Sequence, residues 1–506
     1  MTPAARVSRF QRFLNGVEVL GNALPHPATL FLLLCGVVIG VSGACHWAGV
    51  EVLHPVKGTP VQVVNLLSAE GLNRIILGLL PNFIGFAPLG SVLVCVLGLS
   101  VAEHSGLLAA VMRRIVQATS PRLLTLVVVF CGTMSHTAGD VGYVLLLPLS
   151  AALFHSAGRH PLAGLAAAFS GVSGGFAANL LLSPTDLILA GLTQEAARLL
   201  QPDYTVTAMA NYFFLGSSVF LVTVVGTLVT ERVVIPRLGA YDGAVQPEPV
   251  IGLTEAERRG LRWAGWTLAM LVTLVLAGLV PENGVLRDPA QPGFLKSTFV
   301  RGLVFFVFVF GVLPGLAYGI GARTIRSDTD VYRGMQKTVE LMAGYLVVVF
   351  FIAQFISLFG WTNLGVILAV KGAALLKSFD LGAVPLVLGV ILLTCSIDLM
   401  VGSASAKWAL LAPVFVPLFM LLGYTPELTQ AAYRVGDSIT NIITPLSSNF
   451  PLVLMFLQRY APKAGIGTLT AMMLPFSLAN LVAWTLFLVL WILLGWPLGP
   501  GAPLYL

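Results

Sequence analysis

The chain has 506 residues, of which 57% are hydrophobic and 10% charged, with 28 Lys and Arg against 22 Asp and Glu for a net charge of +6. Mean hydropathy is +0.91, whereas a soluble domain carries about 25% charged residues, so the composition excludes a water-soluble globular protein and makes the bilayer the solvent. The basic surplus then reads as membrane sidedness and not as a nucleic-acid surface.

The leading segment holds Arg6, Arg9 and Arg12 without the apolar run of a cleavable signal, so the first span is expected to be retained. Runs near the ~20 residues that cross hydrocarbon as helix fall at 28–47, 84–102, 162–193, 210–230, 264–280, 302–322, 340–359, 429–457 and 468–495, predicting nine crossings. Two more apolar runs, 123–156 and 383–422, are interrupted by GTMSHTAGDVG (132–142) and SIDLMVGSASAK (396–407). With the N-terminus inside, Arg113, Arg114, Arg122, Arg159, Arg232, Arg237, Arg258, Arg259, Arg262, Arg323, Arg326, Arg333, Lys337, Arg459 and Lys463 also fall inside if both interrupted runs are re-entrant hairpins. The first hairpin then enters from the cytoplasm, the second, bounded by Asp380 and Glu427, from outside, and the C-terminus ends outside. Cys35, Cys45, Cys95, Cys131 and Cys395 lie in or beside apolar segments without metal-type spacing and read as packing residues.

The two hairpins resemble each other. Asp140-Val-Gly-Tyr143 precedes Pro148 by the same aromatic-to-proline spacing as Ser405-Ala-Lys-Trp408 precedes Pro413. Each hairpin follows a crossing and a short amphipathic stretch, 105–117 or 362–377, and precedes a long span with a polar break, Asn179 to Asp186 or Asn441 to Ser448. The order repeats on opposite sides, so the expected fold is an all-α polytopic domain over 1–506 with an inverted-topology repeat. The first unit covers 83–193 with hairpin 123–156, the second 340–458 with hairpin 383–422.

Helices break at membrane depth only where protein or a wet cavity satisfies the freed backbone, and inverted repeats of discontinuous helices are a secondary-transporter design with the site between repeats. Asp140, Asp186, Asp398, Asp437, Lys407 and Arg434 all fall in these segments, where a charge costs several kcal/mol unless paired or hydrated. Two readings stand: mutual pairing that holds the bundle together, or service to a ligand or proton. Arg434 precedes Asp437 by one turn, so an i, i+3 pair is expected. Trp408 offers either packing or a stacking face for an aromatic ligand. Asn179, Ser183, Thr185, Asn441, Thr444, Ser447, Ser448 and Asn449 supply oxygens for a sodium ion at the breaks and hairpin tips, or simply satisfy the opened helix. His136, in the first tip, is a weaker proton-carrier candidate. No nucleophile–base spacing, HExxH or P-loop is present, which argues against an enzyme and against ATP drive.

SPTD (183–186), SASAKWALLAPVF (403–415) and YRVGDSITNIITPLSSNFPL (433–452) are the motifs through which the chain resembles the AbgT family of aminobenzoyl-glutamate transporters, over nearly its whole length. The resemblance implies dimers of nine-span protomers with two re-entrant hairpins in a bacterial inner membrane, and no cofactor beyond a coupling sodium or proton. It implies substrate-site roles for Asp186, Ser405, Trp408, Pro426, Arg434, Asp437 and Pro445. The implied activity is cation-coupled movement of p-aminobenzoyl-glutamate. The alternatives are a proton-driven exporter of sulfonamide antimetabolites with Asp186 or Asp437 as carrier, a dicarboxylate/sodium symporter, or, from other classes, a channel or membrane-embedded enzyme. Substrate binding is expected to lean towards the second hairpin.

Overall fold

The computed structural model of the chain describes residues 25–53, 58–138, 142–246, 252–281, 283–288, 297–447 and 449–506. Asp140, in the first tip, and Ser448, in the second break, lie outside them. Eight helices among the described residues are long and apolar enough to cross a membrane, and Leu124–Met134, Gly142–Ser156, Pro161–Val172 and Ala383–Asp398 are shorter apolar ones. Large apolar side chains such as Trp266, Leu274, Phe220 and Leu486 point outward, as a lipid-facing surface requires.

The helix boundaries follow local chemistry. Thr254 and Glu257 form a capping box at the start of Glu255–Leu279, and Ser327 and Asp330 form another at Asp328–Trp361, satisfying amide groups that have no partner inside the helix. Both helices extend well upstream of the apolar runs that announce them, because their first turns carry Arg258, Arg259 and Arg262 or Arg333 and Lys337. The crossing expected at 84–102 differs more. It is Ala87–His104, preceded by a separate helix Ala69–Ile84 that ends at Gly85. Glu70, Asn73 and Arg74 dilute that helix's hydropathy, and the polarity conceals it. One departure from an all-helical chain is a small antiparallel ribbon, with Glu51–Leu53 paired to Pro60–Gln62.

The interrupted runs each form two helices. In the first, Leu124–Met134 continues into a 3-10 turn, Ser135–Ala138, and the later part is Gly142–Leu146 running into Leu147–Ser156. In the second, Ala383–Asp398 is followed by Ala404–Leu421. The two long polar-broken spans are also split, into Pro161–Val172 and Pro184–Arg198 and into Pro426–Asn441 and Phe450–Tyr460. Proline begins both first halves, where its missing N–H is harmless. Before the helix-turn-helix units lie Leu107–Gln117 and Leu364–Ser378, each entered through a left-handed residue, Gly106 or Asn363.

Packing between the halves is reciprocal. The later half of the first broken span (Leu189, Leu192, Ala196) shares a core with the second unit's Ala404–Leu421 (Trp408, Ala412, Val416). The later half of the second broken span (Val453, Leu457) shares a core with the first unit's Val128, Leu147 and Phe154. Each helix-turn-helix is thereby held partly by the other half of the chain.

Candidate functional site

The breaks are built from polar residues that consume their own backbone. At the first, Asp186 takes hydrogen bonds on Oδ2 from the Ser183 amide (2.7 Å), the Ser183 hydroxyl (2.8 Å) and Asn179 Nδ2 (3.0 Å). This carboxylate at N3 caps the helix it belongs to and lies where the N-terminal helix dipole favours negative charge. Its other oxygen faces Arg434 from the second broken span, Nη1 to Oδ1 at 2.6 Å. Arg434 also donates from Nη2 to the carbonyl of Ala177 (3.4 Å), and its buried Nε has no partner among the described residues. Ser438 accepts from the Ala177 amide at 3.0 Å. The second broken span thus grips the first at two points, Ala177 within the break and Asp186 in the helix after it.

The i, i+3 pair expected between Arg434 and Asp437 does not form. Lys407 Nζ binds both Asp398 and Asp437, the latter at 2.6 Å, while Asp186 takes the guanidinium. All five charged groups are at most 2% exposed, so each needs a partner of opposite charge, and the fold supplies one from another element where sequence proximity would have paired Arg434 with Asp437. Asp437 is completed by Asn441 Nδ2 (3.4 Å) and lies 3.2 Å from the Tyr433 hydroxyl, which also reaches the Ala404 carbonyl (2.5 Å). Thr444 lies 3.4 Å from Asp398 and 2.8 Å from the Thr440 carbonyl. Gly436 makes this closeness possible, because a Cβ there would lie 2.6 Å from the Ile391 carbonyl oxygen and 2.8 Å from Thr394 Cβ.

Trp408 is fully buried. One face stacks on Tyr433 at 4.5 Å and 27°, and its indole N–H donates to Thr193 at 2.8 Å. Thr193 in turn touches the Leu189 carbonyl (2.7 Å) and Gln430 (2.8 Å). In this conformation the indole joins the second helix-turn-helix to both broken spans, with a face already taken. Ser405 differs. With Ser403 it lines a cavity of about 230 Å³ together with Ile188, Leu192, Tyr345, Val348 and Ile352, and the buried Tyr345 hydroxyl has no partner. Pro426 opens its helix, and Pro445 lies in the turn that splits the second broken span.

Of the residues read as cation ligands, Asn179 and Ser183 serve the Asp186 cap, Asn441 serves Asp437, and Thr444 serves Asp398. Thr185 and Ser447 are half-buried at the breaks. No group of three or more His, Cys, Asp or Glu able to hold a metal occurs among the described residues. His136 packs edge-on against Phe176 at 5.0 Å with Nε2 unpartnered. Sequence reasoning missed Thr193, Gln430, Tyr345, Tyr433 and Ser438. Tyr433 and Ser438 could have been found, since each adjoins Arg434 or Asp437 in an otherwise buried helix.

Comparison with known proteins bears on the family and the fold. A family profile described as "AbgT putative transporter family" matches residues 12–506. The p-aminobenzoyl-glutamate transport protein of Escherichia coli (strain K12) is 41% identical over 494 residues, 98% of this chain and 97% of the relative. The crystal structure of the YdaH transporter of Alcanivorax borkumensis superposes with a TM-score of 0.90 at 45% identity, covering 94% of this chain and 100% of that one. MtrF of Neisseria gonorrhoeae, described as illuminating a class of antimetabolite efflux pumps, gives a TM-score of 0.92 at 46% identity, covering 97% and 100%.

Proposed function

Because the chain belongs to the AbgT transporter family, a family of multi-pass membrane transporters and not of enzymes, we propose that it carries p-aminobenzoyl-glutamate or a related aminobenzoyl compound across the bacterial inner membrane, coupled to a cation gradient. The observation that carries the substrate class is Arg434: a buried mid-helix guanidinium that reaches the first break, ion-paired through Nη1 and hydrogen-bonded through Nη2, with Nε free. A buried donor left unpaired costs about 1–3 kcal/mol, and a substrate carboxylate would relieve it. The cavity beside Ser405 adds an apolar slot with hydroxyls, suited to an aminophenyl ring.

The architecture of this reading is nine crossings and two re-entrant hairpins, with inverted repeats over 83–193 and 340–458. The N-terminus is cytoplasmic, the C-terminus periplasmic, and two protomers form a homodimer. The reciprocal packing of the halves supports the repeat. Asp186, Ser405, Trp408, Pro426, Arg434, Asp437 and Pro445 form or shape the substrate site. The cation is taken up near the breaks, among Asn179, Ser183, Thr185, Asn441, Thr444, Ser447 and Ser448, or as a proton.

A second reading, export of sulfonamide antimetabolites, is favoured by the cavity lining, which holds no Lys, Arg, Asp or Glu and suits the aminophenyl ring without demanding a dicarboxylate. Purified protein in liposomes separates the two. Saturable counterflow of labelled p-aminobenzoyl-glutamate, competed by excess unlabelled compound, is expected. Sulfonamide counterflow without aminobenzoyl-glutamate counterflow transfers the function to the second reading, and absence of both overturns the carrier.

A further inference from the structure

Three carboxylates, Asp186, Asp398 and Asp437, and two cations, Arg434 and Lys407, are buried together among the described residues. Asp186 and Arg434 neutralise each other. Lys407 alone faces both Asp398 and Asp437, which leaves this group one positive charge short in a place where an uncompensated charge costs several kcal/mol. The geometry points to Asp398 as the residue that binds and releases the coupling proton, with Asp437 kept ionised as the permanent partner of Lys407.

The neighbours distinguish the two carboxyls. Asp437 faces the Lys407 ammonium and the Asn441 amide nitrogen, both donors that hold a carboxylate ionised. Apart from Lys407, which lies closer to it than to Asp437, Asp398 meets hydroxyls and, among the described residues, no amide: Thr440, and Thr444, which lies 3.4 Å from Oδ2 while its own hydrogen is drawn to the Thr440 carbonyl at 2.8 Å. Its oxygen is then free to accept a proton carried on Oδ2, and by turning it can donate once that proton leaves. A second observation lies one turn earlier on the face that carries Asp398. The hydroxyl of Thr394, fully buried, has no partner, an open hydrogen-bonding position beside the pair. Sodium is the poorer occupant, because the point between the carboxylates already holds an ammonium. The other titratable or charged groups around Asp398 are Cys395 on its own helix, whose thiol reaches the Gly436 carbonyl at 3.3 Å, Tyr433 on the second broken span, and beyond it the Arg434–Asp186 pair.

In the cycle, a proton from water on one side joins Asp398 Oδ2 and neutralises the group, and it leaves to water on the other side. This inference rests on the transport reading above. One pH unit is worth about 1.36 kcal/mol per proton, so a single coupled proton supports roughly tenfold accumulation of substrate per unit of imposed gradient. In liposomes under a pH gradient without sodium, the wild type is expected to accumulate labelled p-aminobenzoyl-glutamate to about that ratio, and Asp398→Asn only to equality, with the counterflow-normalised gradient response lost. Wild-type-like accumulation by Asp398→Asn overturns the assignment, as does wild-type accumulation that follows sodium and ignores pH. If Asp398→Asn cannot be recovered folded, infrared pH titration of wild type and Asp398→Glu, which keeps the charge count of the group, decides. A carboxylic-acid band whose frequency or titration moves with Asp398→Glu supports Asp398, and a band unmoved by it or absent from both overturns it. Failure of wild-type counterflow sinks the substrate reading instead, and leaves the infrared result standing by itself.

Discussion

Thr193→Val tests whether the hydroxyl that joins Trp408 to Gln430 holds the two halves together. Thr193 has one hydrogen but lies within bonding distance of the Leu189 carbonyl and the Gln430 amide oxygen. Turning the Gln430 amide over, so that its nitrogen faces Thr193, satisfies the group: Thr193 donates to Leu189 and accepts from both Trp408 and Gln430. Valine keeps the shape and removes the acceptor, stranding the indole N–H and the amide N–H. Each stranded donor costs about 1–3 kcal/mol, and coupled losses fall short of their sum, so roughly 2–4 kcal/mol is expected. An unfolding entropy of about 2.1 cal/mol/K per residue over 506 residues makes 1 kcal/mol worth roughly 1 °C. Thr193→Val should therefore melt about 2–4 °C below wild type in detergent, followed by intrinsic fluorescence, with Thr193→Ser close to wild type. Equal melting of the Val and Ser variants would refute the argument.

Gly402→Ala puts a Cβ 2.6 Å from the Leu446 carbonyl oxygen, so a loss of about 1–3 kcal/mol and of flux is expected. Gly36→Ala, which meets open space, should raise the melting temperature slightly in the same assay. Tyr345→Phe removes a buried hydroxyl that bonds nothing; stability should hold or rise, while p-aminobenzoyl-glutamate affinity falls about 2- to 12-fold if the cavity takes ligand, given ~0.5–1.5 kcal/mol per hydrogen bond. Unchanged affinity by isothermal titration would remove the cavity from the site. Outside the membrane segments, the backbone amides of Arg326 and Ser327 hold the Asp330 carboxyl below its ordinary value. A depressed folded value means the cap stabilises above the ordinary carboxylate range and is lost as pH falls through the lowered value. Amide exchange at Arg326 and Ser327 should accelerate only at that lower pH, and at every pH in Asp330→Ala.

The polar breaks were legible because apolar sequence makes each Asn, Ser, Thr or Asp conspicuous, and both do divide their spans. Charge positions were legible for the same reason, but charge partners were not. Arg434 and Asp437 share a helix face, yet Asp186 and Lys407 arrive from other elements and displace the local pair. The sequence leaves Trp408 between packing and a stacking face, and its surroundings depend on Tyr433 and Thr193, which only the fold brings together. The helix Ala69–Ile84 stayed hidden because its polar residues resemble those of a loop. Thr193, Gln430 and Tyr345 gave no local signal, since ordinary helix positions acquire meaning only through the neighbour opposite.

The grip of Arg434 and Ser438 on the first break and the helix that follows it has a kinetic meaning. For the two halves to move independently, the ion pair to Asp186 and the bond from the Ala177 amide would have to open together, exposing a bare arginine and a bare carboxylate in a dry interior. A ligand that meets the guanidinium lowers that barrier as it binds. On the proposed reading, slippage, the return of an empty carrier or passage of a gradient without cargo, is thereby made slow by a contact that includes Arg434, the residue assigned to the cargo.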